Sequence, residues 1–263
     1  MTALFGTNWK MRNVDHATAR AYVRTIAEAI PQLAGVTIFI LPPVTLIREM
    51  ARAHAGDRIL IGAQNVHWAP EGEFTGELST TLLKQEGATI LMVGHAERRR
   101  LFGESDQVIN RKLRRAFTDD FRVVLCVGDS QQDASRDSLE RTFREQLGAD
   151  LEGIAGSSLD RLIVAYEPYW AIGEAAAGTP TPDRVASSVE MIRRALGNLF
   201  GPDGVRVPVL YGGSVAPDNC RQLVARTGVN GLFVGRAARD PARFVSLILE
   251  ARQAMQDAGH GSI

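Results

Sequence analysis

Leu162-Ile163-Val164-Ala165-Tyr166-Glu167-Pro168-Tyr169-Trp170 is an apolar, largely β-branched run that stops abruptly at a carboxylate and a proline. A short run that is apolar at every position reads as a strand buried on both faces, as in a parallel sheet. Seven further runs of the same kind lie along the chain: Leu4 to Trp9, Val36 to Leu41, Ile59 to Ala63, Thr89 to Val93, Arg122 to Val127, Val207 to Tyr211 and Gly231 to Val234. Amphipathic segments separate them. One is Ala17 to Ile30, with Ala21, Ile26 and Ala29 among its apolar positions and an end marked by Pro31 and Gly35. Eight β-then-α units predict an α/β fold, a closed (β/α)8 barrel, although a doubly wound open sheet would show the same alternation.

The length of 263 residues, 45% of them hydrophobic, suits one barrel domain over residues 1–263. Lysine plus arginine equal aspartate plus glutamate at 30 each, so no whole-molecule field draws the chain to nucleic acid or an anionic membrane. An anionic ligand therefore has to be held by a local site. Cys126 and Cys220 show no metal-ligand spacing, the N-terminus carries no export-signal pattern, and no apolar run reaches the roughly 18 residues of a spanning helix. A reduced, cytoplasmic protein is expected.

Polar residues gather just after the strands: Asn8 and Lys10 after the first, His95 and Glu97 after the fourth, Glu167 after the sixth, Ser214 after the seventh, Gly235 and Arg236 after the eighth. In a barrel these positions converge on the C-terminal face, where such enzymes place their chemistry. Lys10 could supply fixed charge to an oxyanion or a phosphate, or be an ordinary solvated lysine. His95 opens Ala96-Glu97-Arg98-Arg99; the positive end of a helix favours a neutral, hydrogen-bond-donating ring, while a buried structural histidine is the bland alternative. Glu167 is either a desolvated general base or a salt-bridged structural glutamate. Small residues from Ala171 to Gly178, between Pro168 and Pro180, look like a hinged lid. Tyr211-Gly212-Gly213-Ser214 running into Ala216-Pro217-Asp218 suggests backbone amides and a hydroxyl at a helix start, a cradle for phosphate, or simply a turn.

Gly6-Thr7-Asn8-Trp9-Lys10-Met11, Gly62-Ala63-Gln64-Asn65-Val66, Phe74-Thr75-Gly76-Glu77, Gly94-His95-Ala96-Glu97-Arg98-Arg99, Ala165-Tyr166-Glu167-Pro168, Trp170-Ala171-Ile172-Gly173 and Tyr211-Gly212-Gly213-Ser214-Val215 span nearly the whole chain. In that order and spacing they resemble the triosephosphate isomerase family, whose fold is the TIM barrel. The resemblance implies Glu167 as base, His95 as electrophile, Asn8 and Lys10 as electrostatic partners, and Gly173, Ser214 and Gly235 as the phosphate grip. It implies an enediolate formed by proton abstraction beside a carbonyl, with no metal and no organic cofactor. It also implies a homodimer, with Phe74, Thr75, Gly76 and Glu77 at the tip of the loop that inserts beside the neighbouring subunit's site.

Four departures bear on the substrate. Ala96 replaces the family's serine after the catalytic histidine, Gly173-Glu174-Ala175-Ala176-Ala177-Gly178 replaces the lid's Gly-Thr-Gly-Lys-Thr-Ala, Asp129 replaces a glutamate, and Arg236 replaces a glycine. Arg236 restricts backbone freedom and space at the phosphate, or turns to solvent and leaves only its amide there. Gly231-Leu232-Phe233-Val234-Gly235-Arg236 is similar to isomerases of erythritol-type polyol catabolism. The small phosphorylated sugar expected is therefore L-erythrulose 1-phosphate, converted to D-erythrulose 4-phosphate. Glycolytic interconversion of dihydroxyacetone phosphate and D-glyceraldehyde 3-phosphate is the second reading, and a non-catalytic sugar-phosphate-binding barrel the third.

Overall fold

The computed structural model describes residues 2–54, 56–173 and 178–259. Eight parallel strands follow one another around a closed barrel: β1 (Ala3–Asn8), β2 (Val36–Leu41), β3 (Ile59–Ala63), β4 (Ile90–Val93), β5 (Arg122–Val127), β6 (Leu162–Tyr166), β7 (Val209–Tyr211) and β8 (Gly231–Val234). β1 pairs with β2 along one edge and with β8 along the other, Leu4 opposite Gly231 and Thr7 opposite Val234. That last pairing decides for the barrel and against the open sheet. Helices occupy the connections, as parallel pairing requires.

Five strands have the bounds that the apolar pattern predicts. β7 starts at Val209 instead of Val207 because Pro208 has no N–H to give, although its carbonyl accepts from Val164 at 2.9 Å. β1 ends at Asn8 instead of Trp9 because the chain turns at Lys10, whose φ is +54°. The predicted helix over Ala17 to Ile30 runs His16–Ala29. The Asp15 side chain caps it by accepting the Thr18 N–H at 2.9 Å, and a single 3-10 turn follows at Ile30–Gln32, with Pro31 in its first turn. Among the described residues no helix is long and apolar enough to cross a membrane, and both cysteines are free and buried.

Because side chains alternate across a strand, the runs supply two apolar faces at once. Ile38, Leu91, Val123, Leu125, Val164, Val209 and Leu232 pack with helix residues such as Tyr22, Val23, Ile109, Phe143 and Ile192. Phe39, Leu60, Ile90, Met92, Val124, Ile163, Ala165, Leu210 and Phe233 form a second cluster made of strand residues alone, the filling of the barrel. Phe39 and Phe233 meet there with ring centroids 5.3 Å apart. Gly6 makes room for them: a Cβ at that position would lie 1.9 Å from the Phe39 ring.

Alternation also aims the site residues. Glu167 has the parity of Ile163 and Ala165, and Asn8 that of Gly6, so both continue the inward rows past the ends of their strands.

Gly6→Ala is expected to destabilise the protein by about 1–3 kcal/mol, the usual cost of overpacking. Adding Phe39→Leu should recover part of that loss. Denaturant unfolding of the four members of the cycle checks it; strictly additive effects would mean that the two positions do not compete for the same space.

Candidate active site

Gly94, at φ +77°, turns the chain out of β4, and a Cβ there would crowd the Cys126 carbonyl at 3.0 Å. His95 then caps the helix Ala96–Phe102, its Nδ1 accepting the Glu97 N–H at 3.1 Å. A ring nitrogen that accepts carries no proton, so this bond assigns a neutral ring with its hydrogen on Nε2. Arg99 braces the turn, donating to the Gly94 carbonyl at 2.9 Å while paired with Asp150 and Asp106.

Nε2 of His95 lies 3.4 Å from Glu167 Oε1, and the two residues are 4% and 1% exposed. The other carboxylate oxygen accepts the Ala96 N–H at 3.0 Å. Glu167 thus rests on the first turn of the His95 helix, where backbone amides favour negative charge. Its own N–H is given to the Val127 carbonyl at 2.8 Å. Among the described residues no lysine or arginine pairs with this carboxylate; its neighbour is the His95 ring.

Lys10 reaches the same place from β1. Its left-handed backbone is secured on both sides, the N–H by Asn8 Oδ1 at 2.8 Å and the carbonyl by Gln64 Nε2 at 3.0 Å. Gln64 Nε2 also meets the Leu41 carbonyl at 3.0 Å, tying β1, β2 and β3 together. The Lys10 ammonium donates to Glu97 Oε1 at 2.5 Å. Lys10 is therefore fixed and paired, not freely solvated. Asn8 serves first as a clamp on the Lys10 backbone, while its amide nitrogen lies 3.8 Å from Met92 Sδ.

Ser214 follows β7 and precedes the helix Pro217–Arg226, with proline in its first turn as expected. Asn219 shapes this loop, accepting the Ala216 N–H at 2.9 Å and donating to the Ser214 carbonyl at 3.0 Å. The Gly212 N–H is already bound to the Tyr166 carbonyl at 2.8 Å and is not open to an anion. Gly173 (φ +88°), Ser214, Gly235 and Arg236 line one cavity of about 710 Å3 together with Asn8, Lys10, His95 and Glu167. Arg236 begins a 3-10 turn, Arg236–Ala238, with ordinary backbone angles, so the expected loss of backbone freedom has no force: the position does not need glycine. The residue is exposed and lines the cavity.

Residues 174–177 of the lid segment lie outside the described residues. At its leading end, Trp170 donates to Asp129 Oδ2 at 3.1 Å. The same buried carboxylate accepts from Tyr166 at 2.9 Å and Arg184 at 3.0 Å, joining the end of β6 to the following helix. The sequence places Glu97 at the C-terminal face without giving it a role, and it assigns no site role to Gln64 and no latching role to Asp129. For Glu97 the available signal was its place two residues after His95; for Gln64 it was its place at the end of β3.

The fold and the site define a (β/α)8-barrel enzyme whose polar groups meet at the carboxyl ends of the strands. The family model for triosephosphate isomerase matches residues 3–251. A triosephosphate isomerase of Symbiobacterium thermophilum is 35% identical over 96% of this chain and 98% of its own, and one of a Roseiflexus species 36% identical over 94% and 96%. The crystal structure of triosephosphate isomerase from Bartonella henselae superposes with a TM-score of 0.84 at 29% identity, covering 96% of this chain and all of that one. The chain belongs to the triosephosphate isomerase family and is an isomerase.

Burial pushes the Glu97 carboxyl up, but the Lys10 hydrogen bond, the adjacent His95 ring and the charges of Lys10 and Arg100 hold it below the ordinary value of 4.5. A depressed folded pKa contributes stability in full above the unfolded value, and that contribution is lost as pH falls through the folded one. Glu97→Gln should therefore be less stable than wild type at pH 7, by no more than about 1 kcal/mol for a pair this exposed. Melting curves between pH 7 and pH 3 should converge in acid; a constant gap would contradict the pairing.

Proposed function

We propose that the chain isomerises a small sugar phosphate by proton transfer, with Glu167 as base, His95 as neutral electrophile, Lys10 as fixed charge and Asn8 as the clamp that aims it. The buried contact of Glu167 with the Nε2 edge of His95, at the floor of a cavity also lined by Lys10, is the observation that carries this reading. A carboxylate there takes a proton from the carbon next to the carbonyl, and the electrons move to the carbonyl oxygen. Nε2–H of His95 and the Lys10 ammonium stabilise that oxygen as charge develops, in a site shielded from water. The hydroxyl proton of the first carbon passes to the second oxygen by way of His95 Nε2, and as the carbonyl re-forms on the first carbon the Glu167 carboxylic acid returns its proton to the neighbouring one. Gly173, Ser214, Gly235 and Arg236 hold the phosphate from the far side of the cavity.

As substrate we infer the tetrulose pair, L-erythrulose 1-phosphate and D-erythrulose 4-phosphate. L-Erythrulose 1-phosphate is dihydroxyacetone phosphate with an extra hydroxymethyl group on the carbon that loses the proton, so the base needs room beside it. Ala96 supports that room: it touches Glu167 through its N–H and places a methyl group where the family has a hydroxymethyl. A small further void lined by Ala96, Glu97, Arg100, Tyr169 and Ile172 lies behind it. The triosephosphate isomerases among its relatives favour the glycolytic substrate as the second reading.

A homodimer is part of the same reading. Met11, Phe74, Leu101 and Phe102 are exposed apolar side chains in the segments that follow β1, β3 and β4. The loop Phe74, Thr75, Gly76 and Glu77 is supported from within, the Phe74 ring stacking on His67 with centroids 4.1 Å apart.

Glu167→Gln should lower kcat by at least about 100-fold, as loss of a general base does, with the fold intact. Parallel assays should give a higher kcat/KM on L-erythrulose 1-phosphate than on dihydroxyacetone phosphate, and Ala96→Ser should move the ratio toward the triose. A wild-type preference for dihydroxyacetone phosphate would establish the glycolytic reading, and failure to exchange carbon-bound protons in deuterated water would leave a binding protein. Met11→Asp with Phe102→Asp should sediment as a monomer; an unchanged dimer would place the interface elsewhere.

A further inference from the structure

The cavity does not end at the phosphate grip. Beyond Ser214 and Gly235 its wall is continued by Arg12, Arg236, Arg239 and Arg243. Three of these residues lie close together in sequence, on a 3-10 turn and at the start of the helix that follows it. Side chains three residues apart eclipse on a 3-10 turn, so Arg236 and Arg239 share one face of the turn Arg236–Ala238. Ala237 and Ala238 are buried on the other, where the Tyr22 hydroxyl donates to the Ala238 carbonyl at 2.6 Å and fixes the turn. Arg243 lies in the first turn of the helix Pro241–Asp257, whose capping Asp240 side chain accepts the Arg243 N–H at 2.8 Å. Arg12 comes from the segment after β1, the strand that pairs with β8.

None of these four guanidinium groups has a hydrogen-bond or ion-pair partner among the described residues. Other arginines of the chain are mostly paired, as Arg20, Arg48, Arg98, Arg99, Arg115, Arg161 and Arg184 show. Of the carboxylates lining the cavity, Glu97 is bonded to Lys10 and Glu167 to the Ala96 amide, which leaves Asp218 as the acidic group at the mouth. In a chain with no net charge, four unpaired cations on one rim are a local excess. Guanidinium forks match the oxygens of a phosphoryl group, and converging charge of one sign raises the local concentration of anions. A single phosphate at the grip does not use them all. A cavity of about 710 Å3 is also within the range that accommodates ligands larger than a small sugar monophosphate.

We propose that Arg12, Arg236, Arg239 and Arg243 form a second anion subsite. It takes the second phosphoryl group of a doubly phosphorylated small molecule whose first sits at Ser214 and Gly235. The inference rests on the reading of those two residues as the phosphate grip. Such a ligand occupies the cavity from grip to rim and competes with the monophosphate substrate.

Calorimetry at low ionic strength with inorganic phosphate and inorganic pyrophosphate as probes tests this without turnover. Pyrophosphate should bind at least about tenfold more tightly than phosphate, the contribution of one added charge-assisted hydrogen bond. R239A/R243A should reduce that ratio by more than about threefold, whereas R141A/R144A, which removes the same charge from a distant helix, should not. Circular dichroism of both variants verifies folding, and should R239A/R243A fail to fold, R239Q/R243Q takes its place. A wild-type ratio below tenfold, a smaller fall in the variant, or an equal fall in R141A/R144A overturns the second subsite. If phosphate itself does not bind, the grip reading fails as well, which separates the two outcomes.

Discussion

Pairing of the first strand with the last is the constraint on which everything else in this molecule depends. The register that sets Leu4 against Gly231 and Thr7 against Val234 brings Asn8 and Lys10 beside Gly235 and Arg236, residues more than 220 positions apart. It also encloses the second apolar cluster, so that Phe39, Phe233 and their neighbours form a floor beneath the polar groups. An open sheet built from the same strands would leave Lys10 far from the eighth strand and the interior row exposed to water.

On that floor the electrostatics are arranged in pairs. Glu97 serves two groups at once: its amide fixes the tautomer of His95, and its carboxylate holds the Lys10 ammonium. Glu167 takes the next amide of the same helix turn, from Ala96. One short helix of seven residues therefore contacts Glu167, His95 and Lys10 together. The strained backbone of Lys10 is tolerated because Asn8 and Gln64 satisfy the groups on either side of it, and tertiary support of that kind is what a positive φ at a non-glycine residue requires.

Two of the departures from the family pattern touch this site: Ala96 gives its N–H to Glu167, and Arg236 lines the cavity beside Gly235. The barrel and the Lys10, Glu97, His95 and Glu167 cluster are undisturbed by either. This separation is physically economical: residues in the loops after the strands can be replaced while the packed interior stays unchanged.

The sequence by itself determined the strands, their parallel burial and the polar residues that follow their ends, because each is encoded locally. A run such as Leu162 to Tyr166 is apolar on both faces, and a polar residue at its end is visible as a break in the pattern. Family resemblance added the roles expected of Glu167, His95 and Lys10 and the expectation of a phosphate grip. Only the tertiary structure decided barrel against open sheet, since alternation of strands and helices is common to both and closure is a contact between the chain's two ends. Only it showed that Lys10 is clamped by Asn8 and Gln64, that Glu97 joins Lys10 to His95, and that Arg236 needs no special backbone. These are contacts between side chains and backbone from different strands, set by register and by the turns at Gly94 and Lys10, and no local pattern of residue types contains them.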